Sequence, residues 1–154
     1  MRPGDLTSER GFTIVEMLIV LTILSLVSLI ANTSFRSFRE RAILNRAARV
    51  VAADMALTRS HAIRERQNVS LVADEAGRTY AIRTANGDTL AVRILDSSSD
   101  FAIDSLNVLA AGDSITFNSR GLLLTSFARV DVGRASGDRQ VQVNGLGRSR
   151  IIKP

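Results

Sequence analysis

The sequence has no cysteine and no tryptophan, one histidine (His61), one tyrosine (Tyr80) and one lysine (Lys153). Without cysteine there is no thiolate metal site, no cysteine nucleophile and no disulfide staple. A single imidazole excludes a multi-histidine metal centre and any acid–base scheme that needs two. No metal and no cofactor is therefore expected. The two prolines stand at positions 3 and 154, and neither proline nor glycine occurs from Phe12 to Arg66. The chain thus lacks helix breakers over 55 residues, enough for one uninterrupted helix of roughly 80 Å.

What is present is arginine, 19 of the 20 cations, unevenly placed. Residues 36–66 carry eight arginines and a net charge of +5; residues 67–119 are net −4; residues 120–154 return to +5. An anionic partner would meet one of the two basic segments. Between the polar residues 1–11 and these arginines lies FTIVEMLIVLTILSLVSLIA, residues 12–31, with Glu16 its one charge. Twenty such residues match a bilayer core, and the run is too long for an ordinary cleaved signal peptide. Positive-inside counting leaves its orientation open, because Arg2 and Arg10 precede it while Arg36, Arg39 and Arg41 follow it.

Beyond Asn32-Thr33-Ser34, where a bend or fray is expected, the pattern becomes amphipathic. Leu44, Ala48, Val51, Met55, Thr58 and Ala62 recur at three- and four-residue steps and predict a buried helix face. From Gln67 the signals are strands: 69–73, 79–84, 90–95, 101–108, 115–117, 122–132, 139–143 and 148–152. Asp74-Glu75-Ala76-Gly77 and Asn86-Gly87 are expected hairpin turns, the latter of two residues. Gly112, Gly121, Gly133 and Gly137 are expected between strands. The fold class is α+β, a long N-terminal helix packed on an antiparallel β-sheet domain. The expected divisions are 1–11, 12–31, 32–66 and 67–154.

Gly11-Phe12-Thr13-Ile14-Val15-Glu16, followed by Met17-Leu18-Ile19-Val20, closely resembles the leader junction of type IV prepilins and type II secretion pseudopilins. The resemblance implies cleavage between Gly11 and Phe12 by a membrane prepilin peptidase and methylation of the new Phe12 amine. It further implies a single-pass protein of the bacterial inner membrane, its globular part in the periplasm. Glu16 then stands four residues from a cationic terminus. A carboxylate within a span costs about 2.5–3.5 kcal/mol. Pairing with the amine of its own or a neighbouring chain recovers that cost, and assembly is the role the resemblance implies for Glu16. Many pilins have a helix-bending proline where this chain has Thr33.

Ile115-Thr116-Phe117, Arg120-Gly121 and the closing Gly147-Arg148-Ser149-Arg150 look like the GspH/FimT family of minor pilins and pseudopilins. The resemblance implies a subunit that is not an enzyme. It would be extracted from the membrane into a pilus or pseudopilus and would pack on other pilins through the N-terminal helix. The alternative is a FimT-like minor pilin that binds DNA through its tail. Arg148 and Arg150, two apart in an extended chain, would grip phosphates, with Lys153 beyond and Arg134 and Arg139 on a nearby loop. No aromatic residue lies in the tail itself, so base stacking is not expected.

Overall fold

In the computed structural model the described residues are 12–110 and 113–154, with the backbone alone described over 30–34. The expected leader, Gly112 and the side chains of Asn32, Thr33 and Ser34 lie outside the described residues. Contacts divide the chain at Ser37/Phe38 into two units. One continuous helix, α1 (Ile14–Glu65), runs through both. Helical hydrogen bonding persists across 32–34, so no fray occurs there.

In the first unit the apolar side chains are exposed, Ile14 by 82% and Leu26 by 60%. Two hydroxyls among them are satisfied within the helix. Thr22 donates to the Leu18 carbonyl at 2.8 Å and Ser25 to the Leu21 carbonyl at 2.8 Å. Among the described residues no helix is long and apolar enough to cross a membrane.

Among the described residues the second unit joins the rest of α1 to eight strands: β1 (Val69–Asp74), β2 (Thr79–Thr84), β3 (Thr89–Ile94), β4 (Ser105–Leu109), β5 (Ser114–Phe117), β6 (Phe127–Arg134), β7 (Gly137–Asn144) and β8 (Ser149–Ile152). They form two antiparallel four-stranded sheets, ordered β3-β2-β1-β5 and β4-β6-β7-β8. The sequence pattern predicts strands but not how they divide between sheets. β5 leaves its neighbour β4 and pairs with β1, 46 residues upstream at Ser70↔Thr116. Side-chain alternation carries no information about such a long-range choice.

The predicted helix face is the buried one: Leu44, Ala48, Val51, Met55, Thr58 and Ala62 are each at most 1% exposed. They share one core with Val69, Leu71, Ile82 and Phe117 of the first sheet and Leu106, Val130, Val132 and Val141 of the second. Period-two burial puts these residues on the inner faces.

Several local expectations change. The Asn86-Gly87 connection is longer than two residues. Thr84 N–H donates to the Asp88 carbonyl, Gly87 N–H to the Thr84 carbonyl, and the register shifts at Ile82/Arg83. Residues 101–104 are not strand. Ala102 has φ +41°, and Arg134 Nη1 donates to the carbonyls of Phe101 (2.8 Å) and Ala102 (3.0 Å), holding the loop closed. Gly133 lies inside β6 and Gly137 opens β7, so neither stands between strands; Gly133 is accommodated within its strand because Ser105 Oγ and Asp138 Oδ1 leave no room for a Cβ. Residues 122–126 are a loop joined to β5 by the isolated bridge Phe117↔Leu123, with the Leu124 N–H donating to the Thr116 carbonyl at 3.0 Å.

Candidate functional site

The N-terminal motif is a helix start. Thr13 Oγ1 accepts the Glu16 N–H at 3.2 Å, and the Thr13 carbonyl accepts the Met17 N–H. Thr13 is thus the N-cap and Glu16 the third residue of the first turn, the spacing of a capping box, with the carboxylate at the positive end of the helix dipole. Thr-x-x-Glu before an apolar run is legible in the sequence as a cap, a second reason for Glu16 beside charge pairing. Phe12 is exposed; Gly11 lies outside the described residues.

The two glycine motifs of the C-terminal half meet in space. Asn118-Ser119-Arg120-Gly121 and Asn144-Gly145-Leu146-Gly147 form the same turn. In each, the glycine N–H donates to the asparagine carbonyl at 2.8 Å, and the asparagine N–H donates to the carbonyl four residues on (2.9 and 3.1 Å). The asparagine Oδ1 accepts the N–H of Leu122 in one turn and of Arg148 in the other, each at 3.0 Å. Gly121 and Gly147 have φ of +73° and +75°, a region glycine alone enters without strain. Arg59 of α1 donates from Nε to the Gly121 carbonyl at 2.9 Å. A Cβ on Gly147 would fall 2.6 Å from that same carbonyl oxygen and 2.8 Å from Arg59 Nε. The helix, the Arg-Gly turn and the Gly-Arg turn therefore interlock. The repeated Asn-x-x-Gly spacing was the available sequence signal.

This turn aims the tail. Arg148 and Arg150 line one open hollow of about 430 Å³ together with Phe127, Gln142, Asn144 and Ser149. Among the described residues neither arginine has a carboxylate partner within ion-pair distance. Phe127 begins β6 opposite Asn144, so an aromatic ring does stand beside the tail, brought there by strand pairing rather than by sequence proximity.

The other three cations are elsewhere. Arg134 ends β6 and clamps the 101–102 loop. Arg139 belongs to β7, not to a loop; its Nε donates to Asn45 Oδ1 of α1 at 2.7 Å. Arg139 and Lys153 line a separate hollow with Arg41 and Asp138. The structure thus brings Arg148 and Arg150 together, joins Arg139 and Lys153 to the helix arginines, and leaves Arg134 apart from both groups.

One polar cluster was missed at the sequence level. Asp54 is buried at the helix–sheet interface, where Arg93 donates from Nε (2.9 Å) and Nη2 (3.0 Å) and the Tyr80 hydroxyl donates at 2.7 Å. Burial, reinforced by the Asp54 carboxylate, pushes the Tyr80 phenol far above its ordinary range. The hydrogen bond to Asp54 likewise raises the Arg93 guanidinium. The cluster is a donor-satisfied lock between α1, β2 and β3. His61 sits on the last turns of α1, bonded to Glu65 at 3.0 Å and to Arg64. Among the described residues no group of acids or histidine is placed to hold a metal ion.

Residues 47–147 match the family described as type II transport protein GspH, and residues 6–32 match the prokaryotic N-terminal methylation motif. Among solved structures the chain is similar to the type IV minor pilin FimU of Pseudomonas aeruginosa strain PAO1 in two crystal forms. The TM-score is 0.56 for both, with 21% and 22% identity, covering 71% and 76% of this chain and 92% of FimU. It is also similar to EpsH, a minor pseudopilin of the Vibrio cholerae type 2 secretion system, with TM-score 0.54, 14% identity, and coverage of 72% and 97%. At these identities the likeness shows a shared pilin-like fold. No curated relative matches the chain.

Proposed function

This chain belongs to the GspH family, and on that premise we propose that it is a minor pilin-like subunit that assembles into a type II secretion pseudopilus or a type IV pilus. One observation carries the reading. A single helix has its apolar side chains exposed over 14–29 and one face, Leu44, Ala48, Val51, Met55 and Ala62, buried in its second part. So much apolar surface must be covered, by lipid before assembly and by neighbouring helices after it. In this reading residues 1–11 are a leader removed by a prepilin peptidase between Gly11 and Phe12. The Phe12 amine is methylated, residues 12–31 anchor the chain in the bacterial inner membrane, and the β unit faces the periplasm. The subunit is structural rather than enzymatic.

Glu16 tests it. Glu16→Ala removes a charge from the apolar run, so membrane insertion is unchanged or improved. The cap from Thr13 survives, because it uses the Glu16 backbone N–H. Incorporation into filaments falls about ten-fold or more, read as the ratio of filament-associated to membrane-bound chain. Unchanged incorporation would mean that no amine–carboxylate pairing operates here, and a chain recovered with residues 1–11 intact in the presence of the peptidase would refute the processing step.

A second reading, capture of DNA, is favoured by Arg148 and Arg150 lining one hollow without an acid. Contacts to three to five phosphates give a log–log salt slope of roughly −3 to −4.5 for duplex DNA. Arg148→Gln with Arg150→Gln reduces that slope by about two and weakens binding, with the fold unchanged. Titrating the full chain in detergent at several salt concentrations checks this. Absence of binding at low salt leaves the assembly role alone.

A further inference from the structure

We propose that the outer face of the second sheet takes a single nucleic-acid strand, one base of which stacks on Phe127. This deepens the DNA reading above and rests on it. It names the form of nucleic acid that the tail hollow fits, a strand with unpaired bases rather than a closed duplex.

The sheet register builds the surface. Ala128 and Val130 of β6 and Val141 and Val143 of β7 are buried inward, so Phe127, Arg129, Gln142 and Asn144 share the outer face. Phe127 stands opposite Asn144, and Arg129 opposite Gln142, which is in turn opposite Arg150 of β8. The turn then closes Arg148 onto Asn144, whose N–H donates to the Arg148 carbonyl at 3.1 Å and whose Oδ1 accepts the Arg148 N–H at 3.0 Å. Two rows result: Phe127, Asn144 and Arg148 in one, Arg129, Gln142 and Arg150 in the other. Directly opposed side chains lie about 5 Å apart and adjacent rows about 7 Å apart, so one nucleotide meets several of these groups at once.

Single strands are held by cations on phosphates, aromatic rings under bases and hydrogen bonds to base edges. All three chemistries meet here. Arg129 is occupied by Asp131 at 3.0 Å, which neutralises the acid on this face and leaves Arg148 and Arg150 for phosphate. Gln142 donates from its amide nitrogen to Gln140 Oε1 at 3.4 Å, which leaves its own Oε1 for a base edge. Phe127, 43% exposed among these polar groups, decides between the two forms of nucleic acid. Phosphate contacts are open to both forms. In a closed duplex each base is paired and stacked between neighbours, so a side chain on a sheet reaches no base face. An unpaired base offers its face, and stacking it on an aromatic ring is worth about ten-fold in affinity whichever base it is.

The test titrates the full chain in detergent with a labelled oligothymidylate of about twelve nucleotides and with an abasic strand of the same length, read by fluorescence anisotropy. Closed circular duplex DNA, which has no ends to stack, serves as competitor. The two strands carry the same phosphates, yet the oligothymidylate should bind about ten-fold more tightly. Phe127→Ala should weaken the oligothymidylate by about ten-fold and leave the abasic strand and the salt slope unchanged, and Phe127→Trp should keep the advantage. Arg148→Gln with Arg150→Gln should instead weaken both strands alike and reduce the salt slope by about 1.4. If Phe127→Ala fails to melt like the parent, the comparison of the two strands on the unsubstituted chain decides. Three results overturn the inference while the DNA reading stands: equal affinity for the two strands, an advantage that survives in a folded Phe127→Ala chain, or a closed duplex that competes better, phosphate for phosphate, than the oligothymidylate. Absence of binding by every probe at low salt refutes the DNA reading, and this inference with it.

Discussion

Met55→Asp abolishes the folded state of the β unit. Met55 is 1% exposed, on the helix face that covers the core. Losing a buried methionine costs about 2–3 kcal/mol. An aspartate there must either ionise without a partner or be neutralised, and it adds several kcal/mol more. The total is comparable with the whole stability of a domain, about 5–15 kcal/mol. The neighbouring position shows why the penalty belongs to the site and not to the charge. Asp54 is equally a buried carboxylate, but Arg93 and Tyr80 give it three donors within 3.0 Å. One residue further along the helix the side chain points about 100° away and meets only the apolar core. Far-UV circular dichroism and thermal melts of a fragment starting at Asn32 measure the effect. Met55→Leu should stay within about 1.5 kcal/mol of the parent, and a Met55→Asp fragment that melts like the parent would mean the core face has been misassigned.

The second large effect comes from a methyl group. Gly147→Ala should lower stability by about 2–4 kcal/mol. Forcing alanine to φ +75° costs about 1–2 kcal/mol, and its Cβ would fall 2.6 Å from the Gly121 carbonyl oxygen and 2.8 Å from Arg59 Nε. Backbone oxygen cannot step aside as a flexible side chain can, so the tail turn separates from the helix. Gly87→Ala is the control. Its φ is +93°, but no atom lies within 4 Å of the added carbon, so it bears the backbone term alone. Thermal denaturation distinguishes the two; equal melting temperatures would show that the interlock of Arg59, Gly121 and Gly147 contributes nothing. Because this turn positions Arg148, Gly147→Ala should also disturb any ligand at the tail, whereas Gly87→Ala should not.

Elements governed by local rules were legible in the sequence. The helix from residue 14 to residue 65 follows from the absence of breakers, and its buried face follows from three- and four-residue periodicity; both are properties of a few neighbouring positions. The leader-like junction, the apolar run and the family motifs are contiguous in the chain and could be read without coordinates. Strand positions were readable where alternation was regular, as in 79–84. They failed at 101–104, where Arg134, some thirty residues later, closes a loop, and at Gly133, where a crowding Ser105 places a glycine inside a strand.

Only the tertiary structure decided how the pieces combine. The division into two sheets depends on β5 choosing β1, a contact between distant residues that alternation does not encode. Burial of Asp54 on the helix is tolerable only because Tyr80 and Arg93 arrive from β2 and β3. The cations expected to act as one cluster were instead partitioned by strand register, Arg148 and Arg150 beside Phe127, Arg139 and Lys153 beside Arg41. The sequence alone determined the helix, its two kinds of surface and the family motifs, because those are set by neighbouring residues. The folded chain determined which charges share a surface, because that depends on long-range pairing and on where each backbone can approach another.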